Sequence, residues 1–258
     1  MEEESTKSIR TLANNWFGWP ANGKEDDYET MLRKYYKRPP GPFFQVFNLW
    51  RTVGKYSESI RKVVLSRRLG LAAKKLLGCP EGVILYQDSS FLKTDGTKRT
   101  GWHADLNMCP LDTNRLVTVW IPLHHVASAE EGGSALQFMS GSHRDHALAH
   151  WYDMDSVDEV TDPVTYGGER YPIVNHAPLE PGDVTFHDGW VVHSAPGYNR
   201  RFAFTISYTC NGVRTYNDEH EDSFNIEDKA SWEDWLPSIP PGTKIKHALL
   251  PVLRLDED

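Results

Sequence analysis

The chain has 258 residues, of which 39% are hydrophobic and 12% aromatic, so it can bury a core and is not expected to be disordered. This length suits a single all-β barrel or sandwich with helical additions. The chain carries 28 basic and 36 acidic residues, a net charge of −8. Because no basic stripe is present, the composition argues against a nucleic-acid partner and against an anionic membrane.

The three cysteines are Cys79, Cys109 and Cys210. Their number is odd, they are widely spaced and they form no CxxC motif, so we expect neither a disulfide framework nor a zinc cluster. No apolar N-terminal segment predicts a signal peptide, and no run of about 18 apolar residues predicts a membrane span. A cytoplasmic location is the default expectation, with an organellar one left open. The sequence carries no signal for the oligomeric state.

The first 80 residues have the pattern of helices. Residues 28–36 and 58–77 carry apolar side chains at three- and four-residue spacing, with Lys and Arg between them. The Arg-Pro-Pro-Gly-Pro stretch at 38–42 separates the two segments. Gly78, followed by Cys and Pro, is expected to end the second helix.

From Val83 onward the apolar period changes to two, which predicts strands. The candidate strands are residues 83–93, 101–105, 116–123, 135–139, 183–187 and 202–209. Many short strands separated by turn signals predict a mainly β, double-sheet jelly roll with the N-terminal helices packed on one sheet. We therefore expect one domain over residues 1–258: helices to 80, a jelly-roll core over 81–210, a lid-like insertion at 143–172 and a wrapping tail over 211–258.

The stretch Gly101-Trp-His-Ala-Asp holds the first two candidate metal ligands. On a strand, residues i and i+2 point to the same face, so His103 and Asp105 can reach one ion. One imidazole and one carboxylate, joined by a distant imidazole, form the three-ligand face of non-heme iron oxygenases. The spacing also occurs at His143 and His220, but both lie in polar stretches without a strand pattern.

The third predicted ligand is His193, 90 residues after His103, where a jelly roll can bring a later strand beside the earlier one. It ends a turn–strand–turn segment that starts at Pro181. His187, six residues earlier, is the competing candidate. We interpret His187 as a core or second-layer histidine.

An arginine follows the third ligand by eight residues, at the start of a strictly alternating strand. Arg201 shares a face with small residues, and the bulky residues on the other face are expected to pack on helices. A guanidinium in such a cavity can hold the far carboxylate of a dicarboxylic oxo acid in two-point geometry. The alternatives are a surface salt bridge, or Arg200 as the anchor if the register slips by one residue.

These residues resemble the phytanoyl-CoA dioxygenase family, over roughly residues 44–208. The resemblance rests on Leu85-Tyr-Gln-Asp, Gly101-Trp-His-Ala-Asp, Val117-Thr-Val-Trp-Ile-Pro-Leu, Glu131-Gly-Gly-Ser-Ala-Leu and Thr185-Phe-His-Asp-Gly-Trp, then His193 and Arg201. It implies a double-stranded β-helix, Fe(II), 2-oxoglutarate, O2, and release of succinate and CO2. It carries His103, Asp105 and His193 over as iron ligands and Arg201 as the co-substrate anchor, with Lys93 and Trp120 as further co-substrate neighbours.

The chain departs from the family pattern after the second histidine, where the loop is short and position 195 is Ala. Thr118 or Ser194 is then expected to supply the hydroxyl that the co-substrate pocket otherwise lacks. Because related halogenases have a small residue in place of Asp105, the resemblance implies hydroxylation or an oxidation that begins with it.

The substrate is expected to be a small molecule, which the sequence does not identify. Candidate substrate contacts are Gln87, Trp102 and Trp190, with core packing as the alternative for the two tryptophans. Two other functions remain open: a cupin-like metal enzyme that does not use 2-oxoglutarate, and a non-catalytic binding protein on the same fold.

Overall fold

The computed structural model describes residues 43–52, 58–93, 97–128, 130–145, 171–197, 201–216 and 232–255. The predicted helix at 28–36, most of the predicted insertion and Arg200 lie outside the described residues.

Three helices precede the core: α1 (Leu49–Thr52), α2 (Glu58–Val64) and α3 (Arg67–Leu77). The single helix predicted over 58–77 is thus two helices. The break falls at Ser66, whose side chain accepts a hydrogen bond from the Leu69 N–H and begins α3 as its N-cap. Gly78 ends α3 in the left-handed conformation (φ 64°), as predicted.

One strand lies inside the stretch that the sequence predicted to be helical. β1 (Phe43–Phe47) pairs antiparallel with the start of the barrel, from Phe43 opposite Lys93 to Phe47 opposite Ser89. The prediction of helix at these residues is wrong. The segment is rich in aromatic and β-branched residues, which favour strands where a sheet edge is open to them.

The core consists of two facing antiparallel sheets and a small additional pair, so the mainly β prediction is confirmed. The larger sheet contains β1, β2 (Val83–Lys93), β10 (Arg201–Cys210), β5 (Leu116–Pro122) and β8 (Thr185–Asp188) in that order, with β12 (Val252–Leu253) also on β2. The smaller sheet contains β3 (Thr100–His103), β9 (His193–Ala195), β6 (Gln137–Met139) and β7 (Ile173–Val174). The pair is β4 (Leu111–Asp112) with β11 (Arg214–Thr215).

The outer face of the larger sheet is covered by the helices. Phe204 and Ile206 of β10 are fully buried in one cluster with Ile60 and Ala73. The predicted alternation therefore holds: the bulky residues of β10 face the helical layer. The small residues face the smaller sheet, where Ala203 shares an apolar cluster with Trp120 and Phe138. The space between the two sheets is where the site lies.

The C-terminal part of the described chain packs on the core. Trp235 and Leu250 are buried in a cluster with Tyr86 and Leu116, and β12 pairs with the first residues of β2. A tail that packs against the domain is what the sequence predicted. The proposed division of the chain into helical part, core and tail stays a prediction.

One disulfide joins Cys79, just past α3, to Cys210 at the end of β10, with 5.4 Å between their Cα atoms. The sequence predicts no disulfide framework, and this single crosslink was not expected from it. The two residues are 131 positions apart in the sequence. They meet because α3 packs against β10, which spacing along the chain does not reveal. Cys109 is buried outside the disulfide, and its thiol donates to the Asp105 carbonyl at 3.3 Å.

No helix in the described parts of the chain is long and apolar enough to cross a membrane.

Candidate metal centre

His103 and Asp105 reach the same point although only the first lies in a strand. β3 ends at His103, and Asp105 opens a 3-10 turn over Asp105–Met108. Between them Ala104 keeps an extended backbone, with φ −118° and ψ 130°. The side-chain alternation of a strand therefore continues one residue past β3, as the sequence argument required.

β9 brings His193 beside these two residues. In the antiparallel pair of β3 and β9, His193 lies directly opposite His103, and their ring centroids are 4.3 Å apart. Asp105 Oδ1 is 3.7 Å from His103 Nε2 and 3.5 Å from His193 Nε2. In the described part of the chain, these three residues are the one group of metal-ligating side chains whose ligand atoms all lie within 4.8 Å of one another.

The hydrogen bonds of the two histidines fix the tautomer of each ring and orient its Nε2 toward the metal position. His103 Nδ1 lies 2.8 Å from the Gly101 carbonyl, and His193 Nδ1 lies 3.0 Å from the Val191 carbonyl. A carbonyl only accepts, so each Nδ1 carries the proton and each Nε2 presents a lone pair. Ligand atoms at right angles around an ion about 2.1 Å away lie roughly 3 Å apart. The observed separations are slightly wider, so the set fits an ion after a small inward movement.

The charge state of the group also suits a cation. Burial lowers the pKa of His103 and lowers the pKa of His193 to about 3, so both rings are neutral at pH 7. Burial alone would raise the pKa of Asp105, but its contacts with His193, His187 and His103 hold it below the usual range. Two neutral imidazoles and one carboxylate are the protonation states that metal ligation requires.

His187 does not join the three predicted ligands but contacts one of them. Its Nε2 lies 3.1 Å from Asp105 Oδ2, the oxygen that faces away from His103 and His193. Thr118 Oγ1 donates to the same oxygen at 2.7 Å. This position agrees with the interpretation of His187 as a second-layer residue. It also places the Thr118 hydroxyl at the carboxylate ligand.

Arg201 is buried, with 2% of its surface exposed. Its Nη1 donates to the Ser134 carbonyl, and its guanidinium carbon lies 5.7 Å from the centroid of the Trp120 ring. Burial lowers the pKa of Arg201 to about 10, so it remains charged at pH 7. Ser134 follows the Gly-Gly turn of the 131–136 motif, and a side chain at Gly133 would collide with the Ala127 carbonyl.

Lys93 lies opposite Arg201 in the β2–β10 register and is 1% exposed. Its Nζ donates to the carbonyls of Lys98 (3.2 Å), Ala195 (3.1 Å) and Pro196 (3.4 Å). Burial, together with the charges of Arg201 and Arg99, lowers the pKa of Lys93 to about 7.

The predicted substrate contacts are dispersed. Gln87 is half-buried and lies opposite Ser207, on the inner face of the larger sheet. Trp102 packs with Met139 and Val192 in a separate cluster, on the face of the smaller sheet opposite to His103. Trp190 packs against the cluster that holds the C-terminal tryptophans, and its Nε1 donates to Asn114 at 2.9 Å.

Three contacts of the site were missed by sequence reasoning. These are the carbonyl of Ser134 on Arg201, the hydroxyl of Ser207 3.0 Å from Thr118 Oγ1, and the Phe138 ring 5.9 Å from the His193 ring. The alternation of β10 placed Ser207 on the inner face. The neighbouring strand, which the sequence does not specify, decides what it touches there.

Several solved structures share this fold at low sequence identity. The α-ketoglutarate-dependent carbocyclase SnoK from nogalamycin biosynthesis has a TM-score of 0.67 at 20% identity, over 98% of this chain and 88% of that one. The epimerase SnoN in complex with Fe3+, α-ketoglutarate and nogalamycin RO has a TM-score of 0.60 at 21% identity, over 88% of each chain. EctD from S. alaskensis with 2-oxoglutarate and 5-hydroxyectoine has a TM-score of 0.61 at 18% identity, over 86% and 73%. Among curated protein sequences, none matches the chain significantly.

The family model of phytanoyl-CoA dioxygenase (PhyH) matches residues 40–200, which is more than half of the chain. The matched span contains β3 and β9, and with them His103, Asp105 and His193. The chain belongs to the phytanoyl-CoA dioxygenase family.

Proposed function

We propose that this protein is a non-heme Fe(II)- and 2-oxoglutarate-dependent oxygenase that hydroxylates a small-molecule substrate. His103, Asp105 and His193 hold the iron, and Arg201 holds the far carboxylate of 2-oxoglutarate. The observation that carries the proposal is a buried guanidinium without a carboxylate partner among the described residues, in the same inter-sheet space as the His–Asp–His group.

Arg201 has the environment of an anion site rather than that of a structural ion pair. Its Nη1 donates to a backbone carbonyl, and its buried Nε has no hydrogen-bond partner. A cation removed from water costs several kcal/mol unless an anion and further hydrogen bonds compensate. A carboxylate bound in two-point geometry supplies both. A cupin-like enzyme that does not use 2-oxoglutarate has no need of such a residue.

The inner-face residues near Arg201 and His193 have small side chains, which suit a co-substrate bound between the two. Ala203 and Thr205 follow Arg201 on the inner face of β10, and Ala195 follows His193 on β9. When bound, Fe(II) and 2-oxoglutarate supply oxidation of a substrate C–H bond by O2, with release of succinate and CO2. The chain itself orients the co-substrate between two fixed points and encloses it between the two sheets, which limits access of water.

Hydroxylation is the proposed outcome because Asp105 fills the third ligand position. Two of the similar structures are described as a carbocyclase and an epimerase, so other oxidations occur on this fold. The mass of the product distinguishes hydroxylation from them, since it alone adds one oxygen atom to the substrate. The substrate itself is to be found by screening small molecules for stimulated succinate release.

The proposal is tested by anaerobic titration of 2-oxoglutarate into the Fe(II)-loaded protein, with the visible charge-transfer band of the complex as the signal. Wild type should develop the band. Arg201→Ala leaves a carboxylate unpaired, which costs roughly 2–5 kcal/mol. At 1.4 kcal/mol per factor of ten, the apparent dissociation constant should rise about thirty-fold or more. Arg201→Lys should restore affinity only in part, because Lys offers a point charge rather than a planar fork.

Arg200→Ala is the matched control for this titration. The alternation of β10 predicts that Arg200 faces away from the co-substrate, so the constant should change less than about threefold. A large effect at Arg200 together with a small effect at Arg201 would show that the anchor is the preceding residue. No charge-transfer band in wild type at saturating Fe(II) and 2-oxoglutarate would refute the proposed function.

A further inference from the structure

Four polar residues form a continuous row across the larger sheet, next to the metal centre. Gln87, Ser207, Thr118 and His187 lie directly opposite one another on β2, β10, β5 and β8. Residues paired in this way project to the same face of a sheet. For this polar row that face is the inner one, because two of its members contact Asp105.

Asp105 uses its two oxygens for different partners. Oδ1 faces the ligand nitrogens of His103 and His193, at 3.7 and 3.5 Å. Oδ2 contacts Thr118 Oγ1 at 2.7 Å and His187 Nε2 at 3.1 Å. Thr118 is 4% exposed and His187 is 6% exposed, so water does not compete freely for these contacts.

The direction of each hydrogen bond follows from the carboxylate, which only accepts. Thr118 gives its one hydroxyl proton to Asp105 Oδ2. The Ser207 hydroxyl, 3.0 Å from Thr118 Oγ1, must therefore donate to Thr118. His187 carries its proton on Nε2, and its buried Nδ1 has no hydrogen-bond partner.

His187 thus has the opposite tautomer to the two ligand histidines. His103 and His193 donate from Nδ1 and present lone pairs to the ion site. His187 presents a proton to the carboxylate instead. This arrangement gives it no free lone pair at the metal position and suits a residue that orients a ligand.

We infer that Thr118 and His187 are positioning residues that fix Asp105 as a ligand through one oxygen. Two donors on Oδ2 hold the carboxylate plane and oppose the rotation that would bring Oδ2 onto the ion. The ion then keeps three open positions for 2-oxoglutarate and O2, as a facial triad needs. The inference rests on the proposed function, since it assigns these residues to the same metal site.

The alternative is that the two contacts only stabilise the fold. A structural role and a positioning role differ in what a conservative replacement restores. Thr118→Ser keeps a hydroxyl and His187→Gln keeps an N–H donor at similar reach. Thr118→Val and His187→Leu keep approximate size but remove the donor. Thr209→Val is the matched control. Thr209 lies on β10, is buried like Thr118, and its hydroxyl donates to the Arg115 carbonyl at 2.7 Å.

The test is titration of Co(II) into the metal-free full chain, followed by its visible absorption, without co-substrate or turnover. Removal of an outer partner of a metal ligand lowers metal affinity about 10- to 100-fold. Thr118→Val and His187→Leu should therefore raise the Co(II) dissociation constant about tenfold or more. Their spectra should change as well, because a freed carboxylate can bind through two oxygens. Thr118→Ser, His187→Gln and Thr209→Val should stay within about threefold of wild type.

The outcomes separate this inference from the proposed function. If wild type does not bind Co(II), the metal site itself is refuted. If wild type binds and both donor-removing variants retain its affinity and spectrum, the positioning role is wrong and the metal site stands. Equal losses in Thr209→Val, or no rescue by Thr118→Ser and His187→Gln, would also overturn the inference. Thermal unfolding of each variant without metal identifies any loss that comes from the fold.

Discussion

At the scale of single residues, the buried Lys93 contacts the backbone at both strands that carry the proposed metal ligands. An ammonium has three protons to donate. Its Nζ donates to the carbonyls of Lys98, Ala195 and Pro196. Two of these carbonyls lie just past His193 and one lies just before β3. Lys93 thus links both ligand-bearing strands to β2, and we predict that this link, rather than a contact with 2-oxoglutarate, is its main role.

A Lys93→Met variant should accordingly have a lower free energy of unfolding, while its affinity for 2-oxoglutarate changes little. The substitution leaves buried carbonyls without their donor, which should lower the free energy of unfolding by about 1–3 kcal/mol. Urea unfolding of the protein without 2-oxoglutarate measures this loss. Lys98→Met, at an exposed side chain whose carbonyl is retained, should change the unfolding free energy by less than about 0.5 kcal/mol. Unchanged stability of Lys93→Met together with weakened 2-oxoglutarate binding would mean that Lys93 contacts the co-substrate directly.

At the scale of elements, part of the edge of β2 is covered by α1 and by Asn48, the residue just before it. β1 pairs with Ser89 to Lys93 and β12 pairs with Val83 and Ile84, which leaves a gap between them. The Asn48 N–H donates to the Asp88 carbonyl there, at 2.6 Å, and the Trp50 N–H donates to Asp88 Oδ1, at 3.3 Å. Asp88 is 1% exposed and its Oδ2 has no hydrogen-bond partner.

This carboxyl should make the stability of the protein depend on pH. Burial raises the pKa of Asp88 to about 7, compared with about 3.9 in an unfolded chain. Between these values the folded state binds more protons than the unfolded state, so the unfolding free energy falls as pH rises from about 4 to about 7. At about 1.4 kcal/mol per pKa unit, the loss is at most about 4 kcal/mol.

Asp88→Asn should remove this part of the pH dependence and unfold with a higher free energy than wild type at pH 8. Asparagine keeps an oxygen that can accept from the Trp50 N–H and carries no charge to bury. Urea unfolding at several pH values measures the slope, with Asp112→Asn on the exposed part of β4 as the control. Parallel pH profiles for wild type and Asp88→Asn would contradict the prediction.

Sequence periodicity locates the long elements and the residues that face inward. The alternation of β10 places Arg201 and Ser207 on the inner face, as in the structure. His103 and Asp105 point to the same side, although β3 ends at His103. Short elements such as β1 escaped prediction because a few residues carry too little pattern and their pairing depends on a sheet edge. Trp102 shows the same limit: it is adjacent to His103 in sequence, but it packs on the opposite face.

The sheet order decides the contacts that sequence reasoning could not supply. β5 lies between β10 and β8 in the sheet, but in the chain it precedes both, ending at Pro122 while β8 begins at Thr185. The meeting of Ser207, Thr118 and His187 beside Asp105 is therefore a property of topology and register. A one-residue slip of β5 would turn the Thr118 hydroxyl toward the helices and leave Asp105 Oδ2 with one donor.

At the scale of the whole molecule, the disulfide closes a long loop of the chain that contains the residues of the site. Cys79 and Cys210 are separated by 131 residues, a span that includes β3, β9 and therefore all three proposed metal ligands. In the chain-entropy model, closing a loop of about 100 residues contributes about 4.7 kcal/mol by restricting the unfolded chain. Observed contributions are commonly about 2–4 kcal/mol, because the unfolded chain keeps some structure.

Protein purified under oxidising conditions should therefore show one reactive thiol in denaturant, that of Cys109, and three after reduction. The double variant Cys79→Ala/Cys210→Ala should unfold at a free energy about 2–4 kcal/mol below that of the oxidised wild type. Cys109→Ala, also at a buried cysteine, keeps the crosslink and controls for the loss of a buried thiol. Reductant should lower the stability of wild type and of Cys109→Ala but leave the double variant unchanged, because only the first two have a bond to reduce. Three reactive thiols before reduction would show that the cysteines are not joined in solution, and the stability of the two-sheet core would then rest on its packing alone.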